Sequence, residues 1–181
     1  MEKILIVGSS IIDKMKIAER LTSYDESFSI AYRFTSNIEY KDMKRENNNL
    51  HIYYNDNESI NLDYKNNSLL YIHTSDMISY GVTIDEFINT DITVLDTLNF
   101  NTISDKLLNN NNIFIVWIDT KFDKKNSIDF KETKFLMDRI DNYPYMYFMD
   151  TDNIDDICKE VLKYVNAKTK DEKLEILNEN S

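Results

Sequence analysis

Two spacings of apolar residues alternate along this chain. Short runs at Ile4 to Val7, Ile92 to Leu95 (interrupted only by Thr93) and Ile113 to Ile118 have the length and β-branching of strands buried on both faces. Ile11, Met15, Ala18 and Leu21 fall on one helical stripe instead, with Ser9 and Ser10 placed to cap a helix running to about Thr22. Residues 28–35 and 68–73 predict further strands, and 144–149 an aromatic one. Residues 50–54 and 58–64 alternate apolar and polar around Asn55-Asp56-Asn57, the pattern of a hairpin. Helices are predicted at Thr83 to Ile88, roughly 100–109, 129–141 and 153–166, and from Ala167 onward a loose helix or a frayed tail.

The strand–helix–strand order over 91–118 is a βαβ unit. The whole predicts an α/β fold: a mostly parallel sheet with helices on both faces and an antiparallel insertion at 35–75. Its central sheet should contain 3–7, 28–34, 91–96, 113–118 and 144–149, with 3–7 in the interior. One domain of 1–166 with a charged tail of 167–181 is expected.

Composition narrows the chemistry. With 42% hydrophobic residues, 12 Tyr and 9 Phe, the 181-residue chain can bury a core of its own. A net charge of −11 argues against nucleic acid as a partner, while leaving room for a local basic pocket. A single cysteine, Cys158, precludes an intrachain disulfide and a thiolate zinc site, and reads as a packed residue. Without an apolar run of membrane-spanning length or a leader-like start, a soluble cytoplasmic protein is expected, with no membrane partner. Abundant Asn, Ile, Lys and Tyr read as the codon bias of an AT-rich genome, that of a phage or its low-GC host.

Among candidate groups, His51 and His73 lie on strand-like segments with no carboxylate spacing that fits a metal, and no metal site is assigned. Trp117 sits within an apolar strand and reads as core. Asp150, Asp152, Asp155 and Asp156 read as the acidic first turn of the last helix.

The chain holds only two glycines, Gly8 and Gly81. Glycine serves where φ is positive or where something approaches the backbone closely. Gly8 opens a stretch with Lys14 at the spacing of a phosphate-binding loop, after the right kind of strand and at the start of the right kind of helix. Ile11 and Ile12 crowd that loop, and Met15 offers no hydroxyl to Mg²⁺. Asp13 stands beside the phosphates, where two charges ~4 Å apart at an effective dielectric of ~20 repel by about 4 kcal/mol. On spacing alone, the competing reading is an ordinary first βα turn with Lys14 in solvent.

Taken with the segments below, the chain resembles the guanylate kinase family, within the P-loop nucleoside monophosphate kinases. Gly8-Ser9-Ser10 through Lys14, Arg20 and Leu21 resembles the family's phosphate loop and first helix. Thr35 and Ser36 resemble the two threonines opening its nucleobase-binding insertion, while Asn37 stands where an arginine follows. Tyr80-Gly81-Val82-Thr83 resembles the segment that contacts the acceptor monophosphate and base. The upstream glutamate that reads guanine has no clear counterpart, Tyr71 or His73 occupying its place. Asp96 matches the first of two alternating aspartates, and Leu98 replaces the second. A short lid over 119–130 would offer Lys121, Lys124 and Lys125.

The resemblance implies phosphate binding by Gly8, Ser9, Ser10 and Lys14, and acceptor binding by Thr35, Ser36, Tyr80, Gly81 and Thr83. Lys14 and Asp96 would be the catalytic pair, with ATP and Mg²⁺ as cofactors if the chain is active. Two functions are carried forward. One is a catalytically impaired descendant, a pseudokinase that binds a nucleotide or a structural protein that binds a partner chain or a second copy. The other is an active kinase moving the γ-phosphate of ATP to a (deoxy)nucleoside monophosphate.

Overall fold

The structure, a computed structural model, describes residues 2–8, 14–43, 51–119, 139–149 and 153–179. In chain order the elements are β1 (Lys3–Gly8), α1 (Lys14–Tyr24), β2 (Arg33–Thr35), a 3₁₀ turn (Ile38–Tyr40), β3 (Ile52–Tyr54) and α2 (Asn57–Lys65). There follow β4 (Leu69–Ser75), β5 (Ile78–Thr83), α3 (Ile84–Asn89), β6 (Ile92–Asp96), α4 (Thr97–Thr102) and α5 (Asp105–Asn109). The chain closes with β7 (Ile113–Asp119), β8 (Tyr145–Met149), α6 (Ile154–Asn166) and α7 (Lys170–Glu179).

The runs at Ile4 to Val7 and Ile113 to Ile118 become the interior strands of a four-stranded parallel sheet in the order β6-β1-β7-β8, with β6 at its edge. Its strands bury both faces, and alternation divides them between two cores. Ile4, Ile6, Phe114 and Val116 meet Ile17, Ala18 and Leu21 of α1 and Ile157, Val161 and Tyr164 of α6. Leu5, Val7, Ile115 and Trp117 meet Phe87, Phe100 and Leu108 on the other side. Each such buried aliphatic or aromatic side chain contributes about 1.5–3 kcal/mol. Phe114 and Tyr164 stack with ring centroids 4.0 Å apart. Cys158 is fully buried, its Sγ 3.7 Å from the Ile17 carbonyl oxygen, and burial pushes its thiol up to about 11.

Several expected elements are corrected by the packing. Residues 28–34 do not form a fifth central strand. Only Ile30 bridges Ile92, after which Tyr32 N–H goes to Glu86 and Arg33 N–H to the His51 carbonyl. The backbone donors thus turn away into a second sheet, mixed rather than purely antiparallel, in the order β3-β2-β5-β4. Residues 58–64 are helical rather than half a hairpin. Asp56 caps that helix, its Oδ1 accepting from Ser59 N at 2.8 Å, and only Ile60 is buried. Leu62 and Tyr64, which suggested the strand alternation, are 59% and 65% exposed.

The single helix expected at 100–109 is two, capped by Asp96 and Ser104, with a break at Ile103. The expected helix at 129–141 falls largely outside the described residues. The C-terminal segment is a docked helix: Ile176 and Leu177 pack on the core, and Lys173 pairs with Glu2, which also accepts from the Tyr164 hydroxyl.

Candidate functional site

β1 and β6 end side by side, with Gly8 paired to Asp96 in parallel register. Lys14, at the start of α1, is buried rather than solvated, and its Nζ donates to the Gly8 carbonyl at 3.2 Å. The Asp96 carboxylate accepts from Asn99 N at 3.1 Å, capping α4. Gly8, Lys14 and Asp96 therefore gather at one end of the central sheet. Ser9, Ser10 and the lid residues Lys121, Lys124 and Lys125 lie outside the described residues.

Neither glycine owes its place to a left-handed backbone, since neither has positive φ. A Cβ on Gly8 would lie 2.5 Å from the Ile118 carbonyl oxygen of the neighbouring strand, and one on Gly81 would overlap the Phe34 ring and the Tyr71 carbonyl. The close approach demanded of both is by the chain's own strands. Left-handed positions are filled instead by His51, Asn67, Asp76 and Met77.

Register in the second sheet sorts the acceptor candidates. Thr35 pairs with Tyr80, so both stand on one face, and alternation adds Arg33, Tyr54, Tyr71 and His73 to it. That face looks toward the end of β6: Tyr71 feels both Arg33 and Asp96, and its burial raises its hydroxyl far above the ordinary tyrosine range. Thr35 is fully buried, and its Oγ1 accepts from Asn37 N at 3.1 Å. Tyr80 is 37% exposed.

Gly81 and Thr83 fall on the opposite face, and Thr83 Oγ1 caps α3 through Glu86 N at 3.2 Å. Ser36 Oγ accepts from Ser79 N at 2.9 Å. Asn37, in the arginine's place, caps the 3₁₀ turn through Glu39 N. Met15 packs against the core with its helix.

Arg33 was not singled out by its sequence context, although alternation from Thr35 gives its face. Among the described residues its buried Nε has no hydrogen-bond partner. The buried Nδ1 of His51, on the neighbouring strand segment, has none either. His73, by contrast, is exposed.

Burial lowers the His51 pKa, with Glu19 opposing the shift and Arg33 adding to it. As pH falls through about 6.5 the unfolded chain takes up this proton before the folded one, so stability falls with pH. Asp25, Asp56 and Asp155, held below the usual carboxylate range mainly by hydrogen bonds, lose their contributions only below about pH 4. Urea midpoints of the wild type should therefore drop between about pH 7 and pH 5, and His51→Gln should flatten that stretch. An unchanged slope in the variant would remove His51 as its origin.

No protein-family model matches the chain, and no curated protein matches it by sequence. Among solved structures it is similar to the guanylate kinase from Anaplasma phagocytophilum, with a TM-score of 0.55 and 15% identity over 98% of this chain and 94% of that one. At that identity the likeness shows the fold, and the chain has a guanylate-kinase-like α/β fold. No helix among the described residues is long and apolar enough to cross a membrane.

Proposed function

We propose that this chain is a guanylate-kinase-like nucleotide-binding protein whose capacity for phosphoryl transfer is impaired. The cleft would lie between the end of the central sheet, at Gly8, Lys14 and Asp96, and the face of the second sheet that carries Tyr80 and Arg33. Residues 1–166 would form the kinase-like domain, with the acceptor insertion within it. The lid over 119–130 would supply Lys121, Lys124 and Lys125, and Ser9 and Ser10 would supply phosphate-binding groups.

The observation that carries this reading is Met15. The position from which a hydroxyl would hold Mg²⁺ carries a half-buried thioether side chain packed against the hydrophobic core. The donor set fits a phosphate better than a metal: Lys14 can neutralise a phosphate oxygen, whereas Asp96 would hold Mg²⁺ only alongside a cap to α4. When bound, Mg²⁺ supplies charge neutralisation of the transferring phosphoryl group. Buried Thr35 and the capping Asn37 weaken the acceptor side in the same direction. Phosphoryl transfer is positioning plus charge stabilisation, and losing one stabilising contact costs ~10²–10³ in rate.

A second reading, an active nucleoside monophosphate kinase, draws on the Gly8–Asp96 pairing, which keeps lysine and carboxylate at one strand end. A coupled assay with ATP, Mg²⁺ and each (deoxy)nucleoside monophosphate separates the two. We expect no turnover above background. Transfer to any acceptor that Lys14→Ala abolishes would overturn the impaired reading in favour of the active one.

A further inference from the structure

Three arginines stand among the described residues, and two of them have their guanidinium groups taken. Arg20 pairs with Asp155. Arg139 pairs with Asp105 and donates to the Phe100 and Ile103 carbonyls at the end of α4. Arg33 differs from both. Its Nε is buried without a hydrogen-bond partner among the described residues, although the residue as a whole is only half-buried. A guanidinium group is donor-only and keeps its charge. A buried donor left unpaired destabilises the free protein, and an arriving acceptor relieves that penalty.

The position of Arg33 says where the acceptor would come from. β2 lies between β3 and β5, so Arg33 sits on an interior strand of the second sheet, its backbone N–H on the His51 carbonyl at 2.8 Å. A strand paired on both sides holds a side chain more firmly than a loop does. Thr35, Tyr54 and Tyr80 share its face. So does Tyr71, which feels both Arg33 and Asp96, so the guanidinium borders the gap between the two sheets. Burial keeps the Tyr71 hydroxyl protonated, and it does not neutralise Arg33 as a phenolate. Asn37 brings no charge to this side, its own side chain capping the 3₁₀ turn through Glu39 N.

We propose that Arg33 is the specificity-determining residue of the acceptor side, where it holds the phosphate of a nucleoside monophosphate and makes binding depend on that phosphate. The inference rests on the nucleotide-binding reading above. After a small turn of the guanidinium opens Nε to the cleft, Nε–H and one Nη–H would form a side-on fork to two phosphate oxygens. Tyr80, 37% exposed on the same face, would add its hydroxyl. The charge that position 37 lacks is thereby carried on β2 itself.

The chain has four arginines, so ¹⁵N-labelled arginine gives four Nε–H resonances, and that of Arg33 is identified by its loss in Arg33→Lys. In the full chain, AMP, GMP, CMP and dTMP are titrated in turn, and at least one should move this resonance saturably. The matching nucleoside at equal concentration should leave it in place. Inorganic phosphate should bind at least ~10-fold more weakly than the monophosphate. Arg33→Gln should weaken monophosphate binding at least ~10-fold and ATP binding less than ~3-fold. Arg33→Lys, which keeps the charge and loses the fork, should recover part of that loss.

The inference is overturned if no monophosphate moves the Arg33 resonance up to ~10 mM, or if the nucleoside moves it as far. It is equally overturned if inorganic phosphate binds as tightly, if folded Arg33→Gln binds the monophosphate unchanged or loses ATP to the same degree, or if Arg33→Lys binds no better than Arg33→Gln. ATP separates two failures. If ATP binds the unmodified chain while no monophosphate reaches Arg33, only the role of Arg33 falls. If ATP does not bind either, the nucleotide-binding reading falls with it.

Discussion

Gly81→Ala should lower the stability of this protein by about 3 kcal/mol, the upper part of the range for forcing an extra carbon into a packed site. The added Cβ would overlap the Phe34 ring on one strand and the Tyr71 carbonyl on another. A flexible side-chain end could swing aside, but Tyr71 O is backbone of β4, paired through this stretch to β5. Phe34 is fully buried and has nowhere to retreat. In a domain of this size ~3 kcal/mol corresponds to roughly 6–12 °C in Tm. The same argument applies more mildly to Gly8, whose added Cβ meets one backbone oxygen. Urea denaturation of Gly81→Ala in the absence of nucleotide is the measurement. A loss below about 1 kcal/mol would mean that β5 shifts freely, and the packing account of this glycine would fall.

The double variant Asp13→Gly, Met15→Ser should tighten ATP binding by ~10²-fold, a gain of about 3 kcal/mol. Wild-type affinity is expected at roughly 0.1 mM or weaker. Most of the change comes from Asp13, whose repulsion of a phosphate can reach about 4 kcal/mol at contact distance. Met15→Ser restores a hydroxyl but removes a side chain packed against the core, so the double variant should also be less stable. Asp13→Gly alone separates the two contributions. Calorimetry on the unmodified chain reading low-micromolar affinity would contradict the impaired reading, because the loop would then bind phosphate despite its charge.

Legible from the residues alone were four of the five central strands expected, 28–34 being the exception, and the helices α1, α3 and α6. Ile4 to Val7 and Ile113 to Ile118 must be buried on both faces, and an amphipathic stripe such as that of α6 must cover one of them. These are local consequences of hydrophobic spacing, and they carried the fold class. The coincidence of Gly8, Lys14 and Asp96 was also within reach, because a parallel sheet gathers the ends of its strands on one edge.

Three things were decided only by the tertiary structure. Residues 58–64 carry an alternation that suits a strand, yet the Asp56 cap and burial of Ile60 alone settle them as helix, leaving Leu62 and Tyr64 outside. The two glycines are explained by neighbours distant in sequence, Ile118 for one, Phe34 and Tyr71 for the other. The face shared by Arg33, Tyr71 and Tyr80 follows from strand register, which long-range pairing sets. A residue's spacing tells which way its side chain points within its own element, but what stands opposite depends on how elements meet, and that is fixed by packing free energy summed over the whole core.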